Sequence, residues 1–181
     1  MTNITVENII GYTKIADELD IQKIAEKAPG FMYDPNEFLG LTIKLNAPNV
    51  AILLFPDGRA ICTGAKNMDD VDFSIKEVVN KLKRIGIKTK SKTDIEIQNI
   101  IASFDLGKEL NLSSISKTLM LENTSIEPDK FPGLVYKMDD LGATLLIFSS
   151  GKIVCTGVKK VEDASKAIEI LKEKISKIEI L

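Results

Sequence analysis

The sequence contains a direct repeat with a period of about half the chain. FPDGRAICTGAK at 55–66 aligns with FSSGKIVCTGVK at 148–159, and six of the twelve positions are identical. A match of this kind indicates one structural unit that occurs twice. We therefore expect two related halves, residues 1–90 and 91–181.

Shorter matches upstream of this block extend the repeat. ENII at 7–10 aligns with QNII at 98–101, and YDPNEFLGL aligns with IEPDKFPGL. The offset between the halves grows from 91 to 93 residues along the chain, which an insertion of two residues near Thr124 explains. The repeat therefore covers nearly the whole of each half.

Each half has the pattern strand, short helix, three strands and long helix. The first strands are predicted over about 4–13 and 94–105, and Asp20 and Asn111 are suited to cap the short helices that follow. Turn-forming PDG and SSG separate the later strands. The pattern predicts an α+β fold built as a tandem repeat.

The long helices carry their apolar residues on one stripe each, so each helix should cover a sheet. The stripe residues are Val71, Ile75, Val78, Val79 and Leu82 in the first half, and Ala164, Ala167, Ile168, Leu171, Ile175 and Ile178 in the second.

The strands VAILLF and ATLLIF are apolar at successive positions, so both of their faces need shelter from water. Alternation places Val50, Ile52 and Leu54 under the helices. It places Leu53 and Phe55 on the opposite, uncovered face of the sheet. The residues expected beside them on the uncovered face are Ala51, Arg59, Ile61, Thr63, Leu146, Phe148, Lys152, Val154 and Thr156. An exposed apolar patch rimmed by cations is typical of a binding surface.

The amino-acid composition excludes several classes of function. Histidine is absent, which excludes Ser-His-Asp and Cys-His catalysis and removes the commonest zinc ligand. Residues 1–90 carry 12 basic and 12 acidic side chains, and residues 91–181 carry 12 and 14, so bulk charge does not point to nucleic acid. The start MTNITVENII lacks the pattern of a secretory leader. We expect a cytoplasmic protein that is not an enzyme, has no cofactor or metal and does not contact a membrane.

Two hypotheses fit the uncovered face. One is a protein-interaction module, in which the face dimerises or binds an adaptor. The other is the minor groove of DNA, where A·T pairs offer only acceptors and guanine adds an amine donor. An apolar face leaves that amine unpaired and so favours A·T-rich DNA. Asn8 and Asn99, on equivalent strands, are the donors that such a face needs.

Several motifs together resemble one family over essentially the whole chain. They are ENII and QNII, EPDKFPGLVYKM, LLIFSSGKIVCTG, and its partner ILLFPDGRAICTG. The chain resembles the TATA-binding proteins, and its compact start and Lys/Ile-rich composition are similar to the archaeal members. The resemblance implies a pseudo-two-fold saddle, in which a curved antiparallel sheet sits on the minor groove and four helices lie on its convex face.

The resemblance also implies roles for particular residues. It places wedging phenylalanines at Phe38 and Phe55 and at Phe131 and Phe148. Groove-floor contacts are implied for Asn8, Asn99, Thr63, Thr156, Ile10, Leu53, Ile61, Ile101, Leu146 and Val154. Phosphate contacts are implied for Lys44, Arg59, Lys66, Lys137, Lys152 and Lys159.

The partners that the resemblance implies are double-stranded A/T-rich promoter DNA, transcription factor B and, indirectly, RNA polymerase. Glu127 and Asp129 would dock transcription factor B, and a homodimer without DNA is a further expectation. The chain departs from the family pattern at Glu37, where relatives often carry a basic residue, and at Pro56 and Asp57, where small residues are common.

Other conspicuous features are expected to be structural. Cys62 and Cys155 have the strand parity of buried packing residues and receive no function. The run KLKRIGIKTKSK at 81–92 is typical of a solvated helix end and linker. Asp69 and Asp70 open a helix, where carboxylates favour the dipole, and neither they nor Asp139 and Asp140 are assigned a metal.

Overall fold

A computed structural model describes residues 3–118, 124–126 and 131–178 of the chain. The described chain divides into two compact units. The first unit is Asn8–Gln98, and the second unit combines the residues up to Glu7 with those from Asn99 onward. The repeat boundary between residues 90 and 91 stays a prediction.

The first half contains the elements that the sequence predicts, in the predicted order. They are β1 (Thr5–Lys14), α1 (Ile21–Lys27), β2 (Leu41–Asn46), β3 (Asn49–Leu54), β4 (Arg59–Ala65) and α2 (Met68–Arg84). The strands of the first unit pair antiparallel in the order β2, β3, β4, β1.

The second half repeats this order and adds a short strand. Its elements are β5 (Glu96–Asp105), α3 (Leu112–Thr118), β6 (Thr124–Ile126), β7 (Leu134–Met138), a 3-10 helix (Asp139–Leu141), β8 (Ala143–Ile147), β9 (Lys152–Val158) and α4 (Val161–Ile178). The strands of the second unit pair antiparallel in the order β5, β9, β8, β7, β6.

Strand β6 was not predicted from the sequence. It lies at the point where we placed the two-residue insertion, and it is only three residues long, too short to show an alternating pattern. In the first half the corresponding position forms a single bridge between Met32 and Thr42. The longer pairing is therefore a local extension of the same contact.

The short helices begin where the sequence predicts. The Asp20 side chain accepts a hydrogen bond from the Lys23 backbone N–H at 3.1 Å, and the Asn111 side chain accepts one from Ser114 at 3.0 Å. Each cap pairs a backbone donor that the first helical turn would otherwise leave without a partner.

Strand alternation and the helix stripes form the core of each unit. Ile52 and Leu54 of β3 are fully buried, and Val50 is 4% exposed. The buried stripe residues of the long helices are Val71, Ser74, Ile75, Val78, Val79 and Leu82 in α2, and Ala164, Ala167, Ile168, Leu171 and Ile175 in α4. The predicted stripes are thus confirmed, except for Ile178, whose side chain lies outside the described set. In the described part of the chain, no helix is long and apolar enough to span a bilayer.

Cys62 and Cys155 are buried on the helix-covered faces of β4 and β9, as their parity predicts. Burial raises the pKa of each thiol to about 11, and Asp70 adds a smaller electrostatic contribution at Cys62. Thiolate is the reactive form, so both groups are inert near neutral pH.

We therefore predict that neither thiol of the folded protein reacts with a disulfide reagent such as Ellman's reagent at pH 8. Both should react on unfolding in guanidinium chloride, since their pKa then returns to about 8.5. Absorbance at 412 nm measures the reaction. Rapid labelling of the folded protein would contradict the burial of these strands.

Candidate nucleic-acid interface

The uncovered face of the first unit is a row of half-buried side chains on β3 and β4. Leu53 lies directly opposite Ile61, and Ala51 lies opposite Thr63. All four are partly exposed, whereas the intervening Ile52 and Cys62 are completely buried. The predicted division of the strand into two faces is therefore confirmed in this unit.

The second unit has the same arrangement on β8 and β9. Leu146 lies opposite Val154, and Thr144 lies opposite Thr156. These residues are again half-buried, while Leu145 and Cys155 are fully buried. The two units present equivalent apolar faces.

An asparagine of β1 is held rigidly on the first face. Asn8 Oδ1 accepts a hydrogen bond from the Gly64 backbone N–H at 2.6 Å. Its Nδ2 donates to Thr63 Oγ1 at 3.1 Å. Because the glycine N–H can only donate, the bond fixes which end of the amide is oxygen and which is nitrogen. Among the described residues, only Thr63 accepts from the Asn8 amide nitrogen, so its second N–H can donate to a ligand.

The second unit contains the same cluster. Asn99 Oδ1 accepts from the Gly157 N–H at 2.7 Å, and Asn99 Nδ2 donates to Thr156 Oγ1 at 3.0 Å. Gly64 and Gly157 both have positive φ, +97° and +94°, a conformation that glycine adopts without strain. Their N–H groups thereby turn toward the asparagines rather than continuing the ladder.

Irregular pairing accompanies these clusters. The register between β1 and β4 shifts between Ile9 and Gly11, and that between β5 and β9 shifts between Ile100 and Ala102. Ile10 and Ile101 lie at these shifts and are half-buried. Such bulges re-aim side chains next to binding sites.

Aromatic pairs lie at one end of each face. The rings of Phe38 and Phe55 meet edge to face, with centroids 5.4 Å apart and planes inclined at 79°. The rings of Phe131 and Phe148 lie 5.5 Å apart at 60°. Each of the four side chains is half-buried, so none belongs to the core. The structure brings together the phenylalanines that the resemblance paired.

Glycines make room for one member of each pair. A Cβ at Gly40 would lie 2.5 Å from the Leu54 carbonyl oxygen and 2.6 Å from Phe38 Cε1. A Cβ at Gly133 would lie 2.7 Å from Phe131 Cε1 and 2.9 Å from the Ile147 carbonyl oxygen. The phenylalanine positions therefore depend on these glycines.

The other member of each pair begins a tight hairpin. Phe55 N–H donates to the Arg59 carbonyl at 2.9 Å, and Gly58 N–H donates to the Phe55 carbonyl at 3.0 Å. Phe148, Gly151 and Lys152 form the same two bonds at the same distances. The loop that contains Pro56 and Asp57 therefore has the same backbone hydrogen bonds as its counterpart in the second half.

The six predicted phosphate-contacting cations are all exposed. Lys44 lies opposite Ala51, and Lys137 lies opposite Thr144, so both share the uncovered faces. Lys66 and Lys159 directly follow β4 and β9, and Arg59 and Lys152 begin those strands.

Half-buried residues on β1, β2, β7 and β8 complete the faces, although sequence analysis did not assign them. They are Tyr12 opposite Ile61, Thr42 opposite Leu53, Val135 opposite Leu146, and Thr144 opposite Thr156. Applying the alternation used for β3 to the neighbouring strands would have found them.

The remaining sequence features fall elsewhere. Glu127 and Asp129 lie outside the described residues. In the basic run, Lys90 pairs with Asp17 at 3.4 Å and Lys92 with Asp94 at 3.3 Å. Asp70 lies in the first turn of α2, where its N–H is capped by Asn67.

The geometry defines a protein with two equivalent open sheet faces, each offering apolar area, side-chain donors and a cationic rim. Comparison with known proteins assigns this arrangement to a family. Residues 3–85 and 94–178 match the family model described as transcription factor TFIID (or TATA-binding protein, TBP).

Archaeal relatives match over nearly the full length. The TATA-box-binding protein of Picrophilus torridus is 42% identical over 181 residues, covering 100% of this chain and 98% of the relative. That of Thermoplasma volcanium is 43% identical over 178 residues, covering 98% and 97%. A solved structure, Methanococcus jannaschii TBP, has a TM-score of 0.85 and 41% identity and covers 97% of this chain and 99% of that chain.

The chain belongs to the TATA-binding protein family. Members of this family are DNA-binding transcription factors and not enzymes. The expected family, the α+β repeat fold and the absence of catalysis are therefore confirmed.

We predict that Gly40→Ala destabilises the protein by about 1–3 kcal/mol, the usual cost of overpacking, because the Leu54 backbone and the Phe38 ring cannot both move away. Urea unfolding followed by circular dichroism measures the change. Leu39→Ala is the neighbouring control: Leu39 is 76% exposed, and its truncation should change stability by less than about 0.5 kcal/mol. Equal stabilities of the two variants would contradict the described packing of Phe38.

Proposed function

We propose that the chain is a general transcription initiation factor that binds the A·T-rich TATA element of promoters through the DNA minor groove and bends it. The two open faces supply the groove contacts, and the phenylalanine pairs act as wedges. The function requires no catalysis.

The duplicated Asn–Thr cluster is the observation that carries this proposal. In each cluster the asparagine Oδ1 accepts from a glycine N–H and its Nδ2 donates one hydrogen bond to a threonine. We infer that the second N–H of each amide donates to the ligand from within an otherwise apolar surface. The minor groove of A·T pairs displays only the acceptors adenine N3 and thymine O2, which such donors match. The surrounding Leu53, Ile61, Leu146 and Val154 cannot accept a hydrogen bond from a guanine amine. Burying that amine without a partner costs about 1–3 kcal/mol, which favours A·T pairs.

Base unstacking explains the placement of the aromatic pairs. A ring inserted at a base step costs a few kcal/mol in lost stacking, a general figure for minor-groove proteins of which TATA-binding proteins are themselves a standard example. The opened groove then exposes more surface to the apolar faces. Flexible TA steps lower the cost, so deformability adds to the preference for TATA sequences.

The exposed cations supply the part of the affinity that does not depend on sequence. Lys44, Arg59, Lys66, Lys137, Lys152 and Lys159 are all exposed, and we infer that they neutralise phosphates along the groove. Each neutralised phosphate releases condensed counterions and contributes about −0.9 to the slope of log K against log salt. Binding should therefore weaken steeply as salt rises.

The wider assembly follows from the family resemblance. The resemblance assigns Glu127 and Asp129 to the docking of transcription factor B, through which RNA polymerase would be recruited. This role places the protein on the nucleoid in the cytoplasm. Without DNA, the half-exposed apolar faces favour a homodimer, which sedimentation would detect.

Three duplexes test the groove that is bound. One carries a TATA element, one carries G·C pairs in its place, and one carries inosine·cytosine pairs, which lack the guanine amine but keep the G·C pattern in the major groove. We predict gel-shift affinities that are high for TATA, restored for inosine and at least tenfold lower for G·C. Equal binding to inosine and G·C duplexes would rule out discrimination by the amine.

Two variants are compared in the same assay, with Lys66→Ala as the control for Asn8→Asp. Asn8→Asp replaces a donor by a charge of nearly the same shape and should lose roughly tenfold or more on TATA DNA. Lys66→Ala should lose less, and by the same factor on all three duplexes, since phosphate contacts carry no sequence information.

Wedging predicts a loss of bending when a ring is removed. Phe131→Ala and Phe148→Ala should reduce the bend angle and weaken binding, because an unstacked step then has no ring to fill it. Fluorescence transfer between dyes at the two duplex ends measures the bend at saturating protein. Unchanged transfer in both variants would argue against the wedge.

A further inference from the structure

The two hairpin loops that follow the wedging phenylalanines share a backbone but differ in charge. Loop one is Phe55–Arg59, with the sequence FPDGR, and loop two is Phe148–Lys152, with the sequence FSSGK. Their hydrogen bonds are the same, and Gly58 and Gly151 both have positive φ, +80° and +89°. The difference between the loops therefore lies in their side chains.

In loop one, Asp57 holds Arg59 at two points. Asp57 Oδ1 accepts a hydrogen bond from the Arg59 backbone N–H at 3.2 Å. Asp57 Oδ2 forms an ion pair with Arg59 Nε at 2.5 Å. The Arg59 guanidinium carbon also lies 5.1 Å from the centroid of the Phe55 ring, a cation–π distance. The guanidinium is thus directed at its own loop.

In loop two, the Asp57 position is taken by Ser150. Ser150 Oγ accepts from the Lys152 backbone N–H at 3.4 Å, so the turn contact remains without a charge. The Lys152 side chain is exposed. Loop one carries one anion and one cation, and loop two carries one cation alone, so their net charges are 0 and +1.

We propose that Asp57 is a positioning residue that restrains Arg59 and cancels the charge of loop one, so that this loop neutralises about one phosphate fewer than loop two. The inference rests on the proposed binding of DNA. The two repeats would then contribute unequally to the electrostatic attraction of a duplex, even though their apolar faces and Asn–Thr clusters are equivalent.

The restraint acts as long as the ion pair holds. An exposed ion pair is weak individually, but the same carboxylate also accepts the Arg59 backbone N–H, and the guanidinium lies at the Phe55 ring. While Arg59 stays on Asp57, it does not neutralise a phosphate, so loop one contributes little to counterion release.

Salt-dependent binding to one TATA duplex tests the proposal. Asp57→Asn keeps the shape and the acceptor for the Arg59 N–H but removes the charge. We expect it to bind several-fold tighter at low salt, with the slope of log K against log salt steeper by about one unit. Ser150→Asp rebuilds the pair in loop two and should make the slope shallower by about one unit.

Arg59→Ala in two backgrounds separates positioning from a simple charge effect. If Asp57 restrains Arg59, the variant should reduce the slope more in the Asp57→Asn background than in the wild type, by about one unit. Equal reductions in both backgrounds, or an unchanged slope for Asp57→Asn, would overturn the proposal. Failure of the wild type to prefer the TATA duplex over a G·C duplex would instead overturn the proposed function.

Discussion

Alternation along the strands is the constraint on which the structure depends. Burying Ile52, Leu54 and Cys62 uses the only helix-covered side of the first unit's described strands, and Leu145, Ile147 and Cys155 do the same in the second. The opposite side chains, Leu53 and Leu146 among them, are then left partly in water because period-two geometry allows no other placement. The folded protein tolerates an apolar surface of this kind in water, but the free energy falls when a ligand covers it.

The polar groups on this surface decide what can cover it. Apolar area alone would suit a protein partner as well as DNA. The asparagines change this, since Gly64 and Gly157 fix Asn8 and Asn99 as donors before any ligand arrives. A preorganised donor loses little conformational entropy on binding. Duplication places the same donor in both units, which suits a duplex that offers equivalent acceptors on both strands.

The sequence predicted the repeat, the element order, the helix stripes and the faces of β3, β4, β8 and β9, because these follow from periodicity that neighbouring residues share. It did not predict β6, which is too short to show a period. Nor did it predict the orientation of the Asn8 side-chain amide or the ion pair between Asp57 and Arg59, since both depend on local geometry at a bulge or a turn. The pairing of the phenylalanines came from the family resemblance. Residue type alone would have placed these side chains in the core, because aromatic residues are mostly buried.

The most direct test of a minor-groove complex is the set of intermolecular nuclear Overhauser effects between the labelled protein and a TATA duplex. Adenine H2 lies in the minor groove and the thymine methyl in the major groove. We expect contacts from adenine H2 to the methyl groups of Leu53, Ile61, Leu146 and Val154 and to the side-chain amides of Asn8 and Asn99. Contacts from these groups to thymine methyls, or to no DNA proton at all, would contradict the account.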